Sequence, residues 1–240
     1  PGPDAFPMDL PSVISNFNSR AGMVTLHNGK TGSITFIGTV SPAGGNLKEP
    51  VTESTKKATR CYYALSQQRA DSKRYPAIDP IDSYSKYTEY PEFIDYLSTI
   101  AGSDWIQKTN RLRNILIKGK EAYEQINILG DDGVSIDTHL SFWYSELIDT
   151  VLLQQDAFDT VDARTPIQRQ KFMVDHILDS IDSKLLFQNF EQVQPYFKRI
   201  IDQYKQMNFS EFRSERFDTF STQIGRILGE RTGDNPSVSS

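Results

Sequence analysis

An α/β layer followed by an all-helical domain is the fold this sequence predicts. Three observations carry that reading. A β-branched run at residues 33–40 lies between a short helical segment and a loop rich in Pro and Gly. From about Pro91 onward, apolar residues recur almost without interruption at helical spacing. The 240 residues suit one large domain or two modest ones. The division falls at residues 1–90 for the α/β part and 91–232 for the helical part, with a disordered tail at 233–240.

In chain order, residues 9–22 can form a helix with Leu10, Val13, Ile14 and Phe17 on one side, Pro11 lying near its start. The stretch "HNGKTGSITF" then contains Gly29-Lys30-Thr31, the tail of a phosphate-binding P-loop. A P-loop needs a second glycine where Val24 stands, and it opens a helix rather than a strand. Asn28-Gly29 therefore reads as a tight turn before a buried strand at 33–40. After the loop "SPAGGNLKEPVT", a helical pattern with Ala58, Cys61, Tyr62 and Leu65 runs from Pro50 to about Asp71. Residues 74–87, with two prolines, read as a short strand leading into a loop. Two strands are too few for a sheet with helices on its faces, and the chain begins Pro-Gly-Pro without Met, so part of the layer is expected to lie upstream.

In the helical part Ser103 is a cap candidate for a helix with Trp105, Leu112, Leu116, Tyr123 and Ile126 in one stripe, broken at Gly130-Asp131-Asp132-Gly133. A second helix carries Leu140, Trp143, Leu147 and Val151. A third opens with Thr165-Pro166-Ile167-Gln168 in the form of a capping box, and its stripe is Val174, Ile177, Ile181 and Leu185. Helical segments at 193–206 and 210–230 follow.

Composition limits the function. Net charge is −5, which gives no overall basic footprint for nucleic acid. Three scattered histidines and one cysteine offer no metal-ligand spacing, so no metal site is expected. A single cysteine excludes an internal disulfide and fits a reducing compartment. Neither a signal peptide nor an apolar run long enough to span a membrane is visible, so direct membrane insertion is not expected.

Three stretches stand out: "SPAGGNLKEPVT", "RYPAIDPIDSYSKY" and "LLQQDAFDTVD". Read singly, each has an ordinary explanation: a strand-to-helix connection, a rigid turn around Tyr75-Pro76, and a loop aromatic at Phe158 plugging the two halves. Together, and in this order, they resemble the catalytic A subunit of V-type and A-type rotary ATPases. That family shows Ser-Pro-Pro-Gly-Gly and Glu-Pro-Val-Thr where this chain has Ser41-Pro42-Ala43-Gly44-Gly45 and Glu49-Pro50-Val51-Thr52. It shows an aromatic followed by Pro-Ala-Ile, then Ser-Tyr-Ser, against Tyr75-Pro76-Ala77-Ile78 and Ser83-Tyr84-Ser85 here. Its Leu-Gln-Gln-Asn-Ala-Phe-Asp-Pro-Val-Asp corresponds to residues 153–162, with Asp156 and Thr160 as the changes. The resemblance covers essentially the whole chain. Ala43, the less acidic Asn46-Leu47-Lys48, and Asp79-Pro80-Ile81-Asp82 depart from it and point to a divergent, bacterial branch.

The resemblance implies that the first part is an α/β remnant of a RecA-like P-loop nucleotide-binding domain, followed by an all-α helical bundle. It implies that the P-loop, the water-activating glutamate and the Walker B aspartate lie upstream, so no catalytic residue is expected in this chain. It assigns the adenine to Tyr75 and Phe158, with Gln155 at the base edge; a solvated loop amide is an equally good reading of Gln155. It assigns Ser41, Pro42, Gly44, Gly45, Glu49 and Pro50 to a loop facing a central rotor. ATP or ADP with Mg²⁺ would bind only in the complete subunit. Expected partners are non-catalytic B subunits in an alternating ring and a rotor stalk, in a cytoplasmic head peripheral to the membrane. A stand-alone helical interaction module with a degenerate nucleotide-binding remnant is the competing reading. The chain by itself is expected to release no phosphate from ATP; a steady-state assay showing turnover of the purified chain, undiminished by further purification, would contradict this.

Overall fold

The computed structural model describes residues 6–232. It begins with helix α1 (Leu10–Asn18) and an antiparallel hairpin of β1 (Gly22–Thr25) and β2 (Thr31–Ile34). Gly29-Lys30-Thr31 is turn chemistry, as the sequence predicts. The Leu26 N–H donates to the Lys30 carbonyl at 2.7 Å, Asn28 Oδ1 accepts from the Lys30 N–H at 3.1 Å, and Gly29 has φ +77°, which favours glycine. The buried strand at 33–40 is not formed. The ladder stops at Ile34, and Ile34 and Ile37 are 70% and 87% exposed. Among the described residues, β1 is the one strand paired with β2, so the β-branched run has no further ladder to join.

Helix α2 (Pro50–Ala58) packs with α1. The helix expected to run from Pro50 to Asp71 is broken in two. Thr59 turns extended, and β3 (Cys61–Tyr62) pairs antiparallel with β4 (Tyr84–Ser85). The ladder continues as hydrogen bonds: the Asp79 N–H donates to the Ala64 carbonyl and the Ser66 N–H to the Ala77 carbonyl, both at 2.8 Å. The β-preferring Cys61-Tyr62-Tyr63 prevails over the helical spacing because a partner strand lies within reach. Ser66 Oγ then caps α3 (Gln67–Asp71).

From Pro91 the chain is helical: α4 (Pro91–Ala101), α5 (Trp105–Leu129), α6 (Ile136–Ile148), a π-helical turn (Asp149–Leu153), α7 (Ile167–Asp182), α8 (Val193–Asn208) and α9 (Glu215–Gly229). Their apolar stripes meet in one core that includes Leu116, Leu147, Ile177, Val193, Phe197, Tyr204 and Ile224. The predicted stripes hold in their central residues; Tyr123 is 44% exposed and stacks on Phe142 at 5.7 Å, Ile126 lies off the core, and Leu185 is buried but past the end of α7 at Asp182. Ser103 does not cap α5, since Asp104 occupies the cap position without a side-chain bond. The capping box at Thr165 is also absent: α7 starts at Ile167 behind Pro166, and the Thr165 hydroxyl donates to the Asp162 carbonyl instead, at 3.3 Å. Helices α5 and α6 pack tightly at Gly119, where a Cβ would fall 2.0 Å from Ser145 Cβ. Among the described residues no helix is long and apolar enough to cross a membrane.

Candidate functional site

The chain segment joining α3 to β4 and the loop after the π-helical turn meet at the boundary between the two parts. Arg74 makes the first connection. Its guanidinium gripes no single partner: Nη1 and Nη2 donate to Glu146 Oε1 and Oε2, each at 2.9 Å, and Nη1 also reaches Asp149 Oδ2. Arg69 Nη1 donates to the other oxygen of Asp149 at 2.6 Å. Glu146 and Asp149 stand three residues apart on one helical face, which lets two arginines from the α/β part clasp both carboxylates. Asp149 is buried, and these contacts hold the Arg74 guanidinium firmly in its charged form, Glu146 contributing most. Arg69 Nε and Nη2 are buried with no partner among the described residues.

Tyr75 follows directly. Its ring is 54% exposed, its hydroxyl donates to the Ala70 carbonyl at 3.4 Å, and its own carbonyl accepts the Gln155 N–H at 3.0 Å. That backbone bond ties the Tyr75 segment to the loop that carries Phe158. The loop is braced from within. Asp156 Oδ1 accepts the Phe158 N–H at 2.9 Å, and Asp159 Oδ1 accepts from the Val161 and Asp162 amides at 2.9 and 2.8 Å. Phe158 stands at the tip, 99% exposed.

Gln155 is exposed, and its side chain bonds within its own loop: Nε2 donates to the Asp162 carbonyl at 3.2 Å and to Thr165 Oγ1 at 3.3 Å. Asp162 anchors the base of the loop by accepting the Asp156 N–H at 2.6 Å. Burial pushes the Asp162 carboxyl up, against the opposing pull of that N–H and of the Arg169 charge. Arg169 is itself buried and donates from Nη2 to the Met207 and Asn208 carbonyls at the end of α8, a cation closing a helix C-terminus. Asn208 Nδ2 donates to the Val151 carbonyl at 2.9 Å. The loop therefore stands on a polar brace inside the helical core.

Gln155 and Asp162 also line a cleft of about 480 Å³ with Trp105, Leu116, Val151 and Met173. Pro80 closes it from the α/β side; Tyr75 and Phe158 are not on its wall. Among the described residues no group of His, Cys, Asp and Glu is arranged to hold a metal ion.

Ser41, Gly44 and Gly45 are exposed, and Pro42, Glu49 and Pro50 are half-buried. Gly44, at φ +63°, turns the chain. Glu49 is occupied as the cap of α2, its Oε1 accepting from the Thr52 amide at 3.0 Å and the Thr52 hydroxyl at 2.8 Å. Pro50 is the first residue of that helix.

Of the adenine-site residues predicted, Gln155 and Tyr75 are brought into contact, and Phe158 lies three residues along the same loop. Sequence reading missed Arg69, Arg74, Glu146 and Asp149. The spacing of Glu146 and Asp149 is visible in the sequence, but nothing local pairs them with arginines 72 to 80 residues away.

Residues 1–85 match a family model described as the nucleotide-binding domain of the ATP synthase alpha/beta family, and residues 95–194 match the C-terminal domain of V and A type ATP synthase. A V-type ATP synthase alpha chain from Borrelia duttonii (strain Ly) is 36% identical over 234 residues, covering 98% of this chain and 38% of that protein. Its counterpart from Protochlamydia amoebophila (strain UWE25) is 38% identical over 238 residues, covering 97% of this chain and 39% of that protein. Among solved structures, an ATP synthase subunit NeqB from Nanoarcheaum equitans shares the fold, with a TM-score of 0.57 at 23% identity over 75% of this chain and 42% of that one.

Proposed function

Because the chain belongs to the family of V-type ATP synthase alpha chains, spanning 38% of the length of such a relative, we propose that it forms the C-terminal part of the catalytic subunit of an ion-translocating rotary ATPase or ATP synthase. In this role it supplies the base-binding end of the nucleotide site and a helical lever. The observation that carries the reading is the 3.0 Å bond from the Gln155 N–H to the Tyr75 carbonyl. It joins the segment of one exposed ring, Tyr75, to the loop of another, Phe158.

Two exposed aromatic faces suit an adenine, whose π-face stacks without base-specific hydrogen bonds. The Gln155 amide holds the loop through Asp162 and Thr165, so its first contribution is to position Phe158. Phosphate and Mg²⁺ contacts belong to the remainder of the complete subunit, and charge neutralisation at the phosphates supplies the chemistry there. The helical part moves as a body about the Arg74 contacts as the site opens and closes, and the loop at Ser41–Gly45 meets the rotor. Non-catalytic subunits in an alternating ring are the lateral partners, in a head peripheral to the membrane. A stand-alone interaction module is less well supported: it would leave Met23, Val24, Ile34 and Ile37, each more than 60% exposed, in water.

In the complete subunit, Tyr75→Ala or Phe158→Ala should weaken adenine-nucleotide binding by about 1–3 kcal/mol, and inorganic triphosphate binding by much less. Equilibrium titration of wild type and both variants with ATP and with triphosphate checks this. Unaltered ATP affinity in both would reduce the two rings to surface aromatics.

A further inference from the structure

The first turn of α8 borders a second pocket, of about 440 Å³, remote in sequence from the nucleotide-site residues. Its wall includes Asn189, Gln192, Pro195, Tyr196, Arg199 and Arg231. Tyr196 is 3% exposed, and its hydroxyl is buried with no hydrogen-bond partner among the described residues. An unpaired buried hydroxyl is costly, and a phenol offers a donor to any acceptor that reaches it. Burial pushes its ionisation up, so the proton stays on.

The charges around it are unevenly matched. Arg199 is held in a two-bond pair by Glu230, at 3.0 and 2.9 Å. Arg231 has no carboxylate within ion-pair distance among the described residues; Nη1 donates to the Gln192 amide oxygen at 3.0 Å, and its guanidinium lies 5.2 Å from the Phe187 ring centroid. The pocket also faces the positive end of the α8 dipole. With Arg199 matched by Glu230, one positive charge among the described lining residues remains for a ligand, and Glu191 in the lining disfavours a dianion. Pro195 and the Tyr196 ring give the wall an apolar portion. The Arg199 side chain is 55% exposed, so it can shift at little cost to admit a ligand to the hydroxyl.

We propose that this pocket is a binding site for a single carboxylate on a short apolar stem, held by Arg231 and by the Tyr196 hydroxyl. A free short-chain acid and an acidic side chain of a neighbouring protein share that chemistry. The site stands independently of the nucleotide reading.

Backbone amide resonances of the whole chain, titrated with sodium butyrate at constant ionic strength, test it. Saturable shifts at Asn189–Tyr196 are expected in the millimolar range. Arg231→Gln, which keeps a partner for Gln192, should weaken them at least tenfold. Tyr196→Phe, which keeps the ring packing, should weaken them several-fold. Butyramide should produce no shifts, and inorganic phosphate should bind more weakly than butyrate. A blocked aspartyl peptide amide is the second arm; the tighter of the two ligands identifies the source. Shifts that fail to saturate, that butyramide reproduces, or that survive in both variants would overturn the site.

Discussion

Arg74→Ala should lower folding stability by about 3 kcal/mol and uncouple the two parts of the chain. Removing one partner of a buried pair typically costs 3–5 kcal/mol, because the remaining charge stays desolvated. The lower end applies here, since Arg69 still holds Asp149 while Glu146 loses both of its bonds. The helical core has its own apolar cluster and does not depend on Arg74 for burial. Urea unfolding should therefore change from one transition to two, and proteolysis should begin near Tyr75. Arg74→Lys should recover only part of the loss, because an ammonium cannot make the two-pronged contact to Glu146. A single unfolding transition at the wild-type midpoint would show that the ion cluster contributes nothing to the junction.

Gly119→Ala should be as damaging for the helical domain, about 3 kcal/mol, the upper end of the range for overpacking. The added methyl would sit 2.0 Å from Ser145 Cβ and 3.1 Å from the Ser141 carbonyl oxygen. A Cβ cannot rotate out of the way, so the α5 and α6 backbones would have to shift apart at this crossing. Ser145→Gly removes the nearer obstacle. The double variant should thus be markedly more stable than Gly119→Ala alone, a coupling that a double-mutant cycle by thermal unfolding measures directly. Equal instability of the single and double variants would refute close packing at this crossing.

The helical part was legible in the sequence because its code is local. Val174 and Ile177 recur at helical spacing, and α7 buries both. The α/β part was less so, because strands are decided by distant partners. Residues 33–40 have strand composition, yet only Ser33 and Ile34 find a ladder. Cys61 and Tyr62 fit a helical period and form a strand because Tyr84 and Ser85 lie opposite. The expected capping box failed for a related reason: buried Asp162 organises the preceding loop and draws the Thr165 hydroxyl to its own carbonyl. At the site, the aromatic positions were reached through resemblance, whereas the arginine–carboxylate cluster depends on tertiary folding that no local pattern encodes.

The π-helical turn at Asp149–Leu153 makes chain length, rather than composition, the sensitive variable at the junction. Its closing bond runs from the Gln154 N–H to the Asp149 carbonyl at 3.0 Å, spanning five residues where an α-turn spans four. In an α-helix each residue advances the chain by about 100°. The extra residue therefore fixes the azimuth at which the Phe158 loop leaves the bundle, while Asp149 stays in phase with Glu146 for the two arginines. Apolar substitutions at Leu152 or Leu153 leave that phase intact. A one-residue deletion resets it, swinging Val151 off the core and turning the loop away from Tyr75, so this segment should tolerate changes of residue type far better than changes of length.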